Sequence, residues 1–165
     1  MTSGRIIKNF NGYYYVETDN GIVTCKIKGK MKQERFSAVT GDIVEFQKNP
    51  DGESMITKVL PRRNFMERPA MANLDCVVIA FACCDPDFSY LLADKMLAFA
   101  ERAGIEAVLC LNKTDLVSEA ELNKIADVYK LAGYRMFAVS TFNNTGLDEL
   151  KAYLNGKISA FAGPS

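Results

Sequence analysis

Histidine is absent from the 165 residues, so no imidazole serves here as a base, a proton shuttle or a metal ligand. Cysteine is scarce and unpaired in pattern. Cys25, Cys76, Cys83, Cys84 and Cys110 make five, an odd number with no repeated spacing, and four of them lie within or beside apolar runs. That pattern reads as reduced core thiols rather than a disulfide framework or a metal site. No apolar run approaches the roughly 20 residues that a bilayer-crossing helix needs, and Met-Thr-Ser-Gly-Arg leads into no signal-peptide core. A cytoplasmic protein without a membrane partner is expected. Net charge is also missing, at 20 basic against 20 acidic side chains. The balance conceals a division: residues 1–70 carry 12 Lys/Arg and 8 Asp/Glu, and residues 71–165 carry 8 and 12. Two units with different partners follow from it.

What is present is ample apolar content, 48% of the chain, which supplies a core. The first part has strand texture. "GRIIKNF", "GYYYVET", "GIVTCKIKG", "GDIVEFQKN" and "SMITKVLP" are β-branched and aromatic runs separated by Asn-Gly, Asp-Asn-Gly and Pro-Asp-Gly turn signals. Five short strands in about 60 residues predict a small β-barrel of the OB type, with an SH3-like barrel as the competing reading. Alternation along Tyr13, Tyr14 and Tyr15 sends one or two rings inward and the rest outward, where they either cover the barrel or stack on bases. "PRRNFMERPAMANLD", Pro61 to Asp75, has no periodicity and reads as a linker.

Beyond it strands and helices alternate. Apolar runs "DCVVIAFAC", "IEAVLCLN", "YRMFAVS" and "KISAFAG" are separated by helical patterns beginning near Phe88, Ser118 and Gly146, the signature of a parallel sheet covered on both faces. Ser118 and Glu121 are spaced as a capping box, and Gly104 and Gly133 stand where helices end. In "CCDPDFS", Asp87 is the expected helix cap.

One tetrapeptide carries chemistry. Asn112-Lys113-Thr114-Asp115 ends a buried-type strand at the edge where open α/β sheets bind ligands. A carboxylate there accepts from both N1–H and the exocyclic N2–H of guanine, a pair of donors adenine lacks. Asn112 would reach the N7 side of the base or tie neighbouring loops together, the stem of Lys113 would lie over the ring, and Thr114 is the free position. The plainer alternative is an Asn-Asp turn capping the next helix. One strand later, "AVST" places Ser140 and Thr141 where a second guanine loop belongs, with the Thr141 backbone N–H directed at O6 and Ser140 buttressing the turn. No glycine-rich phosphate loop precedes Asn112. The run "KISAFAGPS" instead has the form of an entry to such a loop, cut after Gly163, Pro164 and Ser165, or else of an ordinary tail. "KIKGKMKQER" concentrates Lys26, Lys28, Lys30, Lys32 and Arg35 within ten residues, as either a phosphate track for RNA or a solvated strand edge.

The order of barrel, "RPAMANLD", NKTD, "ST" and "GKISAFAGPS", together with "CKIKGKMK" and "VTGDIVEF", resembles the ribosome-small-subunit-dependent GTPase A family of circularly permuted GTPases. The resemblance covers essentially the whole chain. It implies an OB-fold RNA-binding domain over residues 1–66 and, over 67–165, the N-terminal part of a permuted GTPase domain. It further implies GTP or GDP with magnesium, a role in late maturation of the small (30S) ribosomal subunit, and contact with its 16S rRNA. Family members also carry a zinc-binding C-terminal domain. A chain stopping at Ser165 would lack the Gly-Lys-Ser/Thr half of the phosphate loop, the switch regions and the zinc domain, so catalysis and magnesium binding attach to no residue present. Such a chain would be inactive alone. The alternative is a non-catalytic RNA-binding module with an α/β interaction platform.

Overall fold

The computed structural model describes residues 2–27, 38–48 and 52–164. The chain divides into two units, Met1–Asn73 and Leu74–Ser165.

In the first unit, strands β1 (Thr2–Phe10), β2 (Tyr13–Thr18), β3 (Gly21–Ile27), β4 (Ile43–Lys48) and β5 (Ser54–Val59) form a closed barrel in the order β1-β2-β3-β5-β4. The β1 strand pairs antiparallel with β4 and closes the ring, while β3 and β5 run parallel. This is the five-stranded OB-type arrangement. Alternation decides the interior: Ile6, Val16, Cys25, Val44, Phe46 and Ile56 are buried together, and Tyr14 packs against them from β2. Its neighbours Tyr13 and Tyr15 therefore point outward.

The stretch expected to be a linker is ordered. Within Pro61–Asp75 lie β6 (Phe65–Glu67) and β7 (Ala70–Ala72), an antiparallel pair. Three-residue strands are too short to show a period, which is why the pattern read as irregular. Side chains fix this hairpin to the barrel. Asn73 Oδ1 accepts from the Arg63 N–H at 2.8 Å, and Asn73 Nδ2 donates to the Gly41 carbonyl at 3.0 Å. The Ala72 N–H donates to the Thr40 carbonyl at 2.9 Å. Beneath, fully buried Asp42 accepts from Arg62 Nε at 2.7 Å and Nη2 at 2.9 Å, and from the Val39 N–H at 2.8 Å.

The second unit is built on β8 (Cys76–Ala82), β9 (Glu106–Asn112), β10 (Arg135–Ala138) and β11 (Ser159–Ala162), all parallel, in the order β10-β9-β8-β11. Helices α1 (Tyr90–Arg102), α2 (Glu119–Leu131) and α3 (Leu147–Leu154) connect them. Val78, Val108, Cys110, Phe137 and Val139 pack with Leu150 of α3 on one face. On the other, Phe81 meets Phe88 with ring centroids 5.1 Å apart, and Phe88 meets buried Tyr129 of α2 at 5.9 Å. Sequence order reverses across β8, since β9 and β10 lie to one side and β11 returns to the other. Such a reversal opens a crevice at the carboxyl ends of the strands, where α/β sheets take their ligands.

The capping box at α2 is present: Ser118 Oγ accepts from the Glu121 N–H at 3.3 Å and Glu121 Oε2 accepts from the Ser118 N–H at 2.8 Å. The Ser118 N–H, and after it the Ser118 hydroxyl, pull the Glu121 carboxyl below its ordinary pKa. The cap of α1 differs from expectation. Ser89, not Asp87, accepts from the Leu92 N–H, at 3.4 Å, because the helix begins at Tyr90 and only the residue immediately before it can reach those amides.

Candidate guanine-nucleotide site

Asn112 is the last residue of β9, and its backbone carbonyl accepts from the Cys83 N–H at the end of β8 at 2.9 Å. Its side chain works in the other direction. Oδ1 accepts from the Lys113 N–H at 2.8 Å and from the Thr141 N–H at 3.2 Å, so one amide oxygen ties the NKTD loop to the loop after β10. Of the two roles open to Asn112, tying loops is the one the geometry displays.

Lys113 turns the chain with φ of 62°, a left-handed conformation that lets the strand pass into the short 3-10 turn Thr114–Leu116. Its ammonium donates to the Asp85 carbonyl in the loop between β8 and α1. Thr114 is less free than the motif suggests. Its N–H and Oγ1 both donate to the Val139 carbonyl, at 3.2 and 3.0 Å, joining the NKTD loop to the chain leaving β10 a second time.

Asp115 is exposed, as a carboxylate that recognises a ligand must be. Ser140, 1% exposed, donates its hydroxyl to Asp115 Oδ1, and its Oγ accepts from the Asn143 N–H at 3.3 Å. Ser140 and Thr145 also exchange backbone hydrogen bonds of 3.0 and 3.1 Å, closing the loop 140–145 into a tight unit. Gly146 ends that loop, and a Cβ there would drive into the Ala138 carbonyl.

Asn112, Lys113, Thr114, Asp115, Ser140 and Thr141 thus form one constellation, held by side-chain to backbone bonds that cross between adjacent loops. Gly163 follows β11 at the same carboxyl edge, beside β8. A side chain there would collide with the Ala80 carbonyl, so the close approach of the two backbones requires glycine. Pro164 follows it and is exposed, and Ser165 lies outside the described residues. Sequence reasoning missed Asp85, because a backbone carbonyl acceptor has no residue-type signature.

Of the basic segment, Lys26 is described, and Lys28, Lys30, Lys32 and Arg35 lie outside the described residues. Lys26 Nζ is 2.6 Å from Glu53 Oε1, and that hydrogen bond raises its pKa. Cys25, Cys76, Cys83 and Cys110 are buried free thiols and Cys84 is partly exposed. Burial pushes Cys25, Cys83 and Cys110 up to about 11, far from the range of a reactive thiolate. No helix among the described residues is long and apolar enough to cross a membrane.

Comparison with known proteins also divides the chain in two, with the border between residues 56 and 59 and so ahead of the β6–β7 hairpin. A family model described as the RsgA N-terminal domain matches residues 3–56, and one described as RsgA GTPase matches residues 59–165. A small ribosomal subunit biogenesis GTPase RsgA from Caldanaerobacter subterraneus subsp. tengcongensis is 41% identical over 98% of this chain and 55% of its own length. The protein of the same description from Carboxydothermus hydrogenoformans is 42% identical over 98% of this chain and 56% of its own. The chain therefore spans about half the length of these curated relatives. Among solved structures, YjeQ from Thermotoga maritima superposes with a TM-score of 0.85 at 33% identity, covering 99% of this chain and 60% of that one. YloQ, described as a circularly permuted GTPase, superposes at 0.81 with 28% identity, covering all of this chain and 60% of its own. Barrel and sheet each answer to their own part of one protein family, and the chain belongs to the RsgA GTPase family.

Proposed function

We propose that this chain is the RNA-contacting and guanine-reading part of a GTPase that acts in small-subunit ribosome assembly. The observation that carries the reading is the Asp115 carboxylate, exposed at the sheet's carboxyl edge and steadied on one oxygen by the buried Ser140 hydroxyl. A carboxylate fixed in this way presents its remaining acceptor positions to the N1–H and N2–H of guanine. Adenine offers an acceptor at N1 and no 2-amino group, so its binding would leave the acid unpaired. The Lys113 stem lies over the ring in this reading, and Asn112 keeps the two loops in register. The Thr141 N–H is the donor to O6. Its 3.2 Å bond to Asn112 is long enough to be shared with a second acceptor. Gly163, Pro164 and Ser165 begin the phosphate-binding turn, with the Gly163 backbone close against β8.

GTP hydrolysis and action on the small ribosomal subunit are supported by the names of the relatives, and contact with its 16S rRNA and a cytoplasmic location belong to the same reading. The barrel unit supplies the RNA contact, with Lys26, Lys28, Lys30, Lys32 and Arg35 as its phosphate track. Magnesium accompanies the nucleotide, but the described residues contain no cluster of three or more His, Cys, Asp or Glu side chains fit to hold a metal. Neither magnesium nor the zinc expected for the family's C-terminal domain is therefore assigned a ligand here.

The test is Asp115→Asn in the full-length protein, with GTP and XTP affinities measured by calorimetry. The amide donates to the xanthine 2-carbonyl where the carboxylate accepted from the guanine 2-amino group, so preference should pass from guanine to xanthine. Unchanged GTP affinity would remove Asp115 from the base site.

A further inference from the structure

We infer that the outer face of β1, β2 and β3 is a stacking platform for unpaired RNA bases, a contact that adjoins the basic track at residues 26–35 through Lys26. The inference rests on the reading of the barrel as the RNA-binding unit and specifies which part of the nucleic acid that unit holds.

Strand register assembles the platform. Phe10 lies opposite Tyr13, which lies opposite Lys26; Lys8 lies opposite Tyr15, which lies opposite Thr24. Phe10 and Lys8 are two residues apart on β1, as are Tyr13 and Tyr15 on β2, so both cross-strand rows share one face. Inward-packed Tyr14 and buried Val16 fix that face as the exterior. Phe10 is 59% exposed and Tyr13 40% exposed. The cations sit among the rings: Lys8 Nζ is 5.7 Å from the Phe10 centroid and 5.6 Å from that of Tyr15, and Lys26 Nζ is 5.1 Å from that of Tyr13.

Three rings and two ammonium groups on an open sheet match the two chemistries of a single-stranded nucleotide. Every base has a π face that can stack on a phenyl or phenol ring, and every phosphate seeks a cation. Among the described residues Lys8 has no ion-pair partner, while Lys26 is bound to Glu53 at 2.6 Å. Lys8 is thus the platform's own cation for phosphate, and Lys26, which begins the basic track, also stands over the Tyr13 ring. A duplex hides its base faces and could engage only the cations. The platform therefore selects unpaired RNA and contributes a part of the affinity that salt does not screen.

The test measures binding of a single-stranded RNA oligonucleotide, and of the duplex containing it, to the full-length protein across a salt series. The Phe10→Ala/Tyr13→Ala double variant removes no buried side chain. It should lose at least tenfold in single-strand affinity with an unchanged salt slope. Tyr13→Phe should bind as wild type does. Wild-type single-strand affinity in the double variant, or a duplex preferred over the single strand, overturns the platform while leaving RNA binding by the barrel intact. Failure of the wild-type protein to bind either RNA overturns both.

Discussion

Ser140 and Asp115 lie 25 residues apart in sequence, on loops leaving adjacent parallel strands, and are joined by a hydrogen bond from a buried hydroxyl to an exposed carboxylate. Ser140→Ala keeps the backbone bonds with Thr145 and deletes this donor, together with the acceptor for the Asn143 N–H. One hydrogen bond to a charged group is worth about 1.5–3 kcal/mol, and the exposed carboxylate regains part of it from water. Guanine-nucleotide affinity should fall roughly tenfold, which corresponds to about 1.4 kcal/mol. Calorimetry checks this, and a wild-type Kd would mean that Asp115 needs no support from Ser140.

Asp42 is the most demanding polar residue of the barrel unit. It is fully buried and takes two guanidinium donors from Arg62 as well as the Val39 N–H. Asparagine would remove the charge and one acceptor, and with them the Asp42 half of a largely buried ion pair with Arg62. Breaking a buried pair from one side costs about 3–5 kcal/mol. At 4–8 °C per kcal/mol for a unit of this size, Asp42→Asn should lower the barrel's unfolding midpoint by more than about 10 °C. Thermal unfolding followed by circular dichroism measures it.

Much of this architecture is legible in the residues themselves, and the illegible parts have a common cause. Barrel strands announce themselves because Ile6, Val16, Val44, Phe46 and Ile56 alternate with polar neighbours between strong turn signals. Sheet strands do so through unbroken runs such as Cys76–Ala82. NKTD is visible because four polar residues of fixed type end an apolar strand. The β6–β7 hairpin is not visible, since its order comes from Asn73, Gly41 and Thr40 reaching across 10 to 32 residues of sequence rather than from its own pattern. Nor is the Lys113 to Asp85 contact, which depends on a backbone oxygen. The tyrosine run shows alternation, but only strand register reveals that Tyr13 stands between Phe10 and Lys26.

Alkaline pH should weaken the α/β unit through Tyr134. A hydrogen bond to Glu101, followed by burial, raises its phenol from 10.0 to about 12. Between those values the unfolded chain has released the proton that the folded chain retains, so folding stability must decline as pH rises. The contribution is complete below about pH 10 and gone above about pH 12. Tyr134→Phe should flatten the decline in that window relative to wild type. Urea midpoints measured at successive pH values provide the check, and parallel curves for the two proteins would show that other groups govern it.

Asn112 and Thr141 separate side-chain from backbone roles at the two loops proposed to read guanine. Thr141 enters the arrangement through its N–H, which donates to Asn112 Oδ1, and its residue is exposed. Thr141→Ala preserves that donor and should leave nucleotide affinity within about twofold of wild type, since exposed substitutions of this kind are worth less than about 0.5 kcal/mol. Asn112→Ala removes the single oxygen that receives both the Lys113 and Thr141 N–H groups. The left-handed turn at Lys113 then loses its brace, while the loop after β10 keeps the Thr114 to Val139 bonds, the Val139 to Leu111 bond and the Ser140 to Asp115 bond. Two unsupported donors cost about 1–3 kcal/mol each when buried and less when water reaches them. Guanine-nucleotide affinity in Asn112→Ala should therefore fall by at least about tenfold. The reverse ranking, with Thr141→Ala the weaker binder, would assign the recognition to the threonine side chain and remove Asn112 from its tying role.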